Sequence, residues 1–571
     1  MSQHIVIIGA VALGPKAACR FKRLEPNSRV TMLDRGDIIS YGGCGIPYFI
    51  SGDVAESTQL RTTSFHMVRD QAFFRDCKGV EALTRTEALA IDRNTRQVLA
   101  RDLATGKDMV LKYDKCVIAT GASPRRLEVP GRDLAGVHSV ADLHDAARIK
   151  EMVQKGQVEK AVIVGAGFIG LELAEALADM WGIETTVVEI ADQILPRFVS
   201  PGLARMGQAH MQSKDVAFHL GETVLRFEGE ERVACVVTDK RRLDADLVIV
   251  AAGVTPNSEL ARAAGLEVSQ RGAIVVNAQM QTSDPLIYAG GDCVEIMSQI
   301  TRKPCYLPLG SMANRQGRVI GTNLAGGAAR FDGAVGAFVV KLFERSLAGA
   351  GLSLSEARQS GFDALSVLVV QYDRAHFFGN KELMTLELVV DKPTRRVLGI
   401  QGFGAANDAM VGRIDAVAAI LKYKPLVEDV SNLEIAYSPP FAAAMDVINT
   451  LGNVADNVLA GKNNGLLPQE FMTLWEQRDD NTHFFIDCRE LPNAKPLLEQ
   501  FPDHWHHISQ CRITTQLDAI PRDKTVVLIC NAGGRSYEAQ TVLENQGFEK
   551  VLNLHCGMAG LKFSGHDLQE Q

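Results

Sequence analysis

Ala161-Val162-Ile163-Val164-Gly165-Ala166-Gly167-Phe168-Ile169-Gly170-Leu171-Glu172 is the stretch that decides the fold. The apolar, mostly β-branched run reads as a buried strand, and Gly165, Gly167 and Gly170 read as a turn into a helix from Leu171 to Met180. Glycine suits such a turn because the backbone must approach a pyrophosphate closely, while the helix N-terminus offers free N–H groups and a partial positive charge. A second strand, Thr185 to Val188, ends in Glu189, at the offset where a carboxylate holds ribose hydroxyls. No Lys or Arg follows until Arg197, so nothing there receives a 2′-phosphate, which favours NADH over NADPH.

The same grammar occurs earlier in the chain. Ile5 to Ile8 leads into Gly9-Ala10-Val11-Ala12-Leu13-Gly14, a helical stretch runs from Pro15 to Leu24, and Arg29 to Leu33 ends in Asp34. Val11 stands where the middle glycine usually lies, so this turn is the less regular of the two. Two strand-flanked glycine turns, each with its acid, imply two dinucleotide sites in an α/β chain. Strands closing on turns at Cys116 to Gly121, Leu247 to Gly253 and Ile287 to Gly291 complete two nested Rossmann-like domains, the second inserted within the first. The turn Gly290-Gly291-Asp292 places a carboxylate where it accepts hydrogen bonds from a flavin ribityl chain.

From about Gly333 to Asn453 the pattern changes to an α+β one, with strands such as Leu365 to Val370 and Leu386 to Val390 and a helix from Asp408 to Lys422. Gly461-Lys462-Asn463-Asn464-Gly465 reads as a linker to a small C-terminal α/β domain. The expected division is 1–112 with 255–328 for the first dinucleotide unit, 113–254 for the second, 329–455 for the α+β domain, 456–467 as linker and 468–571 as the last domain; the family resemblance given below implies FAD for the first unit, NAD(P)H for the second and dimerisation for the third.

Composition bounds the function. With 571 residues, 46% of them hydrophobic, the chain can bury several cores. A net charge of -8 provides no global field for a nucleic acid. No apolar run approaches the roughly 18 residues that span a bilayer, so a cytoplasmic protein with no membrane partner is expected. The eleven cysteines include no C-x-x-C pair, which argues against zinc ribbons and thioredoxin-type motifs.

Ser40-Tyr41-Gly42-Gly43-Cys44-Gly45-Ile46-Pro47-Tyr48 sets one cysteine between glycines. A free cysteine is usually a small core residue, but one beside an expected flavin is a candidate nucleophile. With the GAVALG turn, SYGGCGIPY, ATGASP at Ala119 to Pro124, GAGFIGLE, YAGGD at Tyr288 to Asp292, and AYSPPF at Ala436 to Phe441, residues 1 to about 455 resemble the pyridine nucleotide disulfide oxidoreductases. The resemblance is to the branch of coenzyme A disulfide reductases and NADH-dependent persulfide reductases.

That resemblance implies FAD and NADH as cofactors, coenzyme A as a further ligand, and coenzyme A disulfide, coenzyme A persulfide or polysulfide as substrates. Phe49 occupies the position of the second cysteine in the C-x-x-x-x-C relatives, so Cys44 would work alone through a mixed disulfide. Further cofactor contacts are implied at Arg35, Ser40, Ala119, Thr120, Gly121, Ile169 and Gly253, with Phe168 and Glu172 at the nicotinamide. Substrate contacts are implied at Lys16, Arg20, Arg23, Gly43, Lys78 and Asn314. Asn314 and Met445 replace the His or Lys of relatives, and Ala375 to Gly379 departs from a tyrosine-rich version. Tyr437 would enter the site from the partner in a homodimer.

In the last domain Thr525 to Ile529 runs into Cys530-Asn531-Ala532-Gly533-Gly534-Arg535-Ser536 and then a helix. Loop N–H groups, the helix N-terminus and Arg535 would stabilise a thiolate or persulfide on Cys530. Together with Phe485-Ile486-Asp487-Cys488-Arg489, this loop resembles that of rhodanese-like domains over about 468–565. It is shorter than the loops of related phosphatases, which favours sulfur transfer. His504, His506 and His507 read as loop residues rather than a metal site. Packing is the expectation for the other cysteines: Cys19, Cys77, Cys116, Cys235, Cys293, Cys305, Cys488, Cys511 and Cys556. Two other readings stand beside this one. One is an NADH oxidase or peroxidase working through a Cys44 sulfenic acid, although Ala12 stands where peroxidase-type relatives carry histidine. The other makes the rhodanese-like domain a noncatalytic sulfur sensor.

Overall fold

In the computed structural model, which describes residues 2–568, the chain divides into two units, Met1–Ile190 with Glu222–Ala334, and Ala191–Gly221 with Val335–Gln571. The first unit begins with β1 (His4–Ile8), α1 (Leu13–Leu24), β2 (Arg29–Leu33), α2 (Ile46–Ser51), β3 (Glu81–Leu83) and β4 (Lys115–Ile118). A second strand-turn-helix unit follows, β5 (Lys160–Val164), α3 (Phe168–Trp181), β6 (Glu184–Glu189) and β7 (Leu247–Val250). The chain then returns through β8 (Ile287–Ala289) to the first sheet.

The first sheet has the order β8-β4-β1-β2-β3 and is parallel throughout, with Val6 opposite both Thr31 and Cys116. Ile5, Val6 and Ile7 are fully buried in one cluster with Ala17, Ala18 and Phe21 of α1 and with Ile91, Val98 and Ala100 of a three-stranded antiparallel sheet, which is why this strand reads as an unbroken apolar run. In the second sheet β5 lies between β6 and β7, again in parallel. The nesting expected from the sequence is therefore present. The boundary placed after residue 112 needs correction: β4 pairs with β1, so it belongs to the first sheet rather than to the inserted domain.

One more helix, α4 (Gly310–Leu324), completes the first unit and crosses α1 at very short range. A Cβ on Gly317 would lie 2.8 Å from the Leu13 carbonyl oxygen, and one on Gly321 would lie 2.6 Å from that of Ala17. This glycine seam lets the two backbones nearly touch, and the approach fixes where the N-terminus of α4 points.

The second unit holds a five-stranded antiparallel sheet of β9 (Phe338–Leu342), β10 (Arg345–Gly351), β11 (Ala364–Tyr372), β12 (Leu383–Asp391) and β13 (Val397–Ala405), in the order β9-β10-β13-β12-β11. Its helix α5 (Val447–Leu459) runs past residue 455, and β14 (Gly465–Leu466) is already a strand of the last sheet. Much of 456–467 is thus ordered structure, and the turn between domains is confined to about 460–464. The Gly/Asn-rich residues 461–464 fall in this turn.

The C-terminal sheet is parallel and has the order β14-β18-β17-β15-β16, with β15 (His483–Asp487), β16 (Trp505–His507), β17 (Thr525–Ile529) and β18 (Val551–Leu554). His506 and His507 lie in β16 and are not loop residues. Helix α6 (Gly534–Asn545) follows the Cys530 loop, and α7 (Gly557–Phe563) ends the domain. The ring of Phe563 meets that of Phe403 edge-on with centroids 5.7 Å apart, and Arg205 Nε donates to the Ser564 carbonyl at 3.1 Å. These contacts dock the C-terminal domain on the antiparallel sheet rather than leaving it free on a tether.

Candidate active sites

The two glycine turns are built alike. A Cβ on Gly14 would lie 1.9 Å from the Gly9 carbonyl oxygen, and one on Gly170 would lie 1.9 Å from that of Gly165, so neither position can carry a side chain. Ala12 and Gly167 cap α1 and α3 without a side-chain hydrogen bond, and neither helix has an acid in its first turn. Both N-termini therefore keep N–H donors for an anion, which fits the pyrophosphate of a dinucleotide. Asp34 accepts a hydrogen bond from Ala10 N–H at 2.7 Å, and Glu189 accepts one from Ala166 N–H at 2.7 Å. Each acid ties the second residue of its turn to the end of the neighbouring strand. Ser40 holds φ at 52° and donates its N–H to the Ala10 carbonyl at 2.8 Å, so a non-glycine residue in the left-handed region abuts the first turn. Val11 is half-buried and Arg35 exposed beside it.

Three loops from later in the chain close on this region. Thr120 Oγ1 donates to the Asn257 carbonyl at 2.6 Å, and Asn257 Nδ2 donates back to the Thr120 carbonyl at 2.9 Å. These bonds hold the turn Ala119-Thr120-Gly121, and the Gly253 carbonyl accepts from Arg125 N–H at 2.9 Å. Gln316 of α4 accepts from Gly291 N–H at 2.7 Å, and the Tyr306 hydroxyl donates to the Asp292 carbonyl at 2.8 Å. Burial pushes the Asp292 carboxyl up to about 6. Asn257, Gln316 and Tyr306 were not singled out in the sequence, because none belongs to a contiguous motif.

Cys44 lies in the single 3-10 turn Gly43–Gly45 at the head of α2. The residue is exposed, but its sulfur faces the start of α4: a Cβ on Gly310 would lie 3.4 Å from Sγ. Desolvation, then Glu172 and Asp292, push the thiol above its ordinary range, while the Gly310 N–H works in the opposite sense. Asn314, one turn further along α4, donates from Nδ2 to the Gly310 carbonyl at 3.0 Å. Glu172 shares a pocket between α2 and α3 with Tyr48, Ser51, Asp53 and Glu175. Burial first, and Glu175 second, push its carboxyl up to about 7. Phe168 opens α3, with Ile169 exposed beside it.

The basic residues converge on one side of α1. Lys16, Arg23 and Lys78 all oppose the burial that raises the Cys19 thiol. Arg20 is held by Thr322 of α4, its Nε donating to Oγ1 at 3.0 Å. In the second unit Tyr437 is 54% exposed, and Phe441 and Met445 are exposed after it. This apolar segment is anchored by a buried ion pair, Arg413 Nη2 to Asp446 Oδ2 at 2.7 Å, with a further bond from Arg413 to the Phe441 carbonyl.

Cys530 follows β17 and is buried. Its sulfur accepts from the Gly533 N–H at 3.1 Å and from the Ser536 hydroxyl at 3.3 Å. The Ser536 hydroxyl also reaches the Gly533 carbonyl, at 3.1 Å. Gly533 takes φ of 92° and packs against the His555 carbonyl, where a Cβ would lie 1.9 Å away. Arg535 is partly exposed, with Nη1 3.9 Å from Glu490 Oε1. The histidines diverge: His504 faces Asp479, His506 stacks on Phe484, and His507 Nε2 lies 2.9 Å from the Arg489 carbonyl. Ser536 is the loop donor that sequence reading passed over.

Residues 3–311 match the family model described as pyridine nucleotide-disulphide oxidoreductase, residues 338–447 match that family's dimerisation domain, and residues 471–563 match the rhodanese-like domain. The chain is 36% identical over 455 residues to the "NAD(P)H sulfur oxidoreductase (CoA-dependent)" of Pyrococcus abyssi, covering 80% of this chain and 98% of that one. Among solved structures it is similar to an NAD-dependent persulfide reductase from A. fulgidus, at a TM-score of 0.91 and 37% identity, covering 98% of this chain and 99% of that one. It is also similar to CoADR-RHD of Bacillus anthracis, at a TM-score of 0.90 and 30% identity, covering 100% of this chain and 99% of that one. Among the described residues no helix is long and apolar enough to cross a membrane.

Proposed function

The chain belongs to the pyridine nucleotide-disulphide oxidoreductase family, whose members use flavin and NAD(P)H, and it carries a rhodanese-like domain; from that premise we propose that it is an FAD-dependent NADH reductase of coenzyme A persulfide, polysulfide or coenzyme A disulfide. The observation that supports this reading best is Cys44, set at the N-termini of two helices with Phe49 where a second thiol would stand. When bound, NADH and FAD supply the electron pair. The residues of the chain do the rest. Gly9 to Gly14 with Asp34, Thr120, Gly121 and Asp292 hold the flavin nucleotide, and Gly165 to Gly170 with Glu189 hold NADH. As a thiolate, Cys44 attacks a sulfur of the substrate, forms a mixed disulfide, and expels sulfide or the companion thiol. Lys16, Arg23 and Lys78 receive the phosphates of coenzyme A, and Tyr437 serves the site of a partner subunit. Cys530, held by Gly533 and Ser536, accepts sulfane sulfur.

Turnover with parallel acceptors tests this reading. Anaerobic NADH oxidation is expected with coenzyme A persulfide, polysulfide or coenzyme A disulfide. NADH consumed only when oxygen or peroxide is supplied would replace it with the oxidase reading.

Glu172 makes the reaction pH-dependent. Its carboxyl titrates near 7, so raising the pH through 7 places a negative charge in this pocket, and a carboxylate there favours the positive ring of oxidised nicotinamide. The rate of flavin bleaching by NADH is expected to rise with pH through about 7, and Glu172→Gln to flatten that limb. Stopped-flow absorbance across pH 5.5 to 8.5 measures it, and an unchanged limb in the variant would remove Glu172 from this role.

A further inference from the structure

β15 and β17 are neighbouring parallel strands, with His483 opposite Thr525 and Asp487 opposite Ile529. Cys488 N–H donates to the Ile529 carbonyl at 2.7 Å, the last bond of this ladder, so one residue on each chain segment comes directly after the last pair. Those residues are Cys488 and Cys530. Neighbouring strands lie about 4.8 Å apart, and residues opposite each other in parallel strands project to the same face. A disulfide spans Cα separations of roughly 4.4 to 6.8 Å, so this pairing suits one. Both cysteines are buried in one apolar cluster with Ile486, Leu528 and Ala539.

We propose that Cys488 is a resolving thiol that attacks the sulfane-loaded Cys530, releases sulfide and closes an internal disulfide between β15 and β17. The inference rests on the reading of Cys530 as a sulfur acceptor. The step balances: the persulfide of Cys530 and the Cys488 thiol give a Cys488–Cys530 disulfide and hydrosulfide. The bond between Cys530 Sγ and its outer sulfur breaks as the Sγ–Sγ bond forms. The outer sulfur leaves with the electron pair of the broken bond, and of the two cysteine sulfurs only that of Cys488 is oxidised, from thiol to disulfide level. The environments of the two cysteines divide the labour. Cys530 accepts hydrogen bonds from the Gly533 N–H and the Ser536 hydroxyl. Burial, then Cys530 and Asp487, raise the Cys488 thiol well above its ordinary range. The Cys488 proton passes to the negative outer sulfur as that sulfur leaves. A small-molecule thiol is the class of reductant that reopens the disulfide, and the disulfide it becomes is of the class that the Cys44 site is proposed to reduce.

The experiment uses the full-length flavoprotein in a Cys44→Ser background, so that sulfide arises from the C-terminal domain alone. The reduced protein, freed of small thiols, is treated anaerobically with thiosulfate, and sulfide and cysteine-linked peptides are quantified. About one equivalent of sulfide per chain and a Cys488–Cys530 linked peptide are expected. With Cys488→Ser added, sulfide release is lost and the extra sulfur stays on Cys530. Cys556→Ser is expected to behave as the parent: that thiol is also buried, but it follows β18 and packs beside Gly560. A parent that keeps its persulfide with no linked peptide overturns the inference, a result read without any Cys488 variant. Absence of sulfur from Cys530 in every variant, Cys488→Ser included, overturns the acceptor reading on which the inference rests.

Discussion

Cys44→Ser is expected to lower NADH-dependent reduction of coenzyme A persulfide, polysulfide and coenzyme A disulfide by about three orders of magnitude or more. A serine hydroxyl is not ionised near neutrality and cannot accept the electron pair into a sulfur–sulfur bond, so the mixed disulfide cannot form. The fold should tolerate the change. Cys44 is exposed and sits in a short 3-10 turn. Flavin content and thermal unfolding are therefore expected to match the wild type, and bleaching of the flavin by NADH should persist, since it precedes the sulfur step. Anaerobic steady-state turnover with each acceptor, beside a single-turnover absorbance trace, separates the two. Undiminished acceptor reduction in the variant would place the sulfur chemistry elsewhere.

The second large effect belongs to the other unit. Cys530→Ser is expected to reduce sulfur transfer from thiosulfate to cyanide by about a thousandfold, to the level without protein, while NADH-dependent reduction of coenzyme A disulfide continues. Serine is nearly isosteric, and the Gly533 N–H and Ser536 hydroxyl find an oxygen where the sulfur stood, so the buried loop keeps its partners. A wild type with no sulfur transfer but with sulfur-dependent reductase rates would instead support the sensor reading. Wild-type transfer that survives in Cys530→Ser would assign the acceptor to another thiol.

Much of this was legible in the chain because the decisive chemistry is contiguous. Gly165 to Gly170 with Glu189, Gly9 to Gly14 with Asp34, the Cys44 turn and the Cys530 loop each lie within a few dozen residues, where strand and helix periods and turn chemistry are read directly. The irregular Val11 was harmless, since the close approach falls on Gly14, whose Cβ would collide with the Gly9 carbonyl. Errors arose where an assignment depended on pairing. β4 was placed in the wrong domain because only its register with β1 reveals its sheet. His506 and His507 were read as loop residues because β16 is three residues long and too short to show a period.

By itself, then, the sequence determined two nested Rossmann-like units and a terminal rhodanese-like domain, and it singled out the Cys44 turn and the Cys530 loop as candidates, since each is written in local spacing. Tertiary structure alone decided which distant groups meet them. Gln316 holds Gly291 because the glycine seam of α4 lets it lie against α1. Cys488, which looked like one packing cysteine among many, shares a buried cluster with Cys530 because parallel pairing sets β15 beside β17 by register, and register depends on the whole sheet rather than on any stretch of chain.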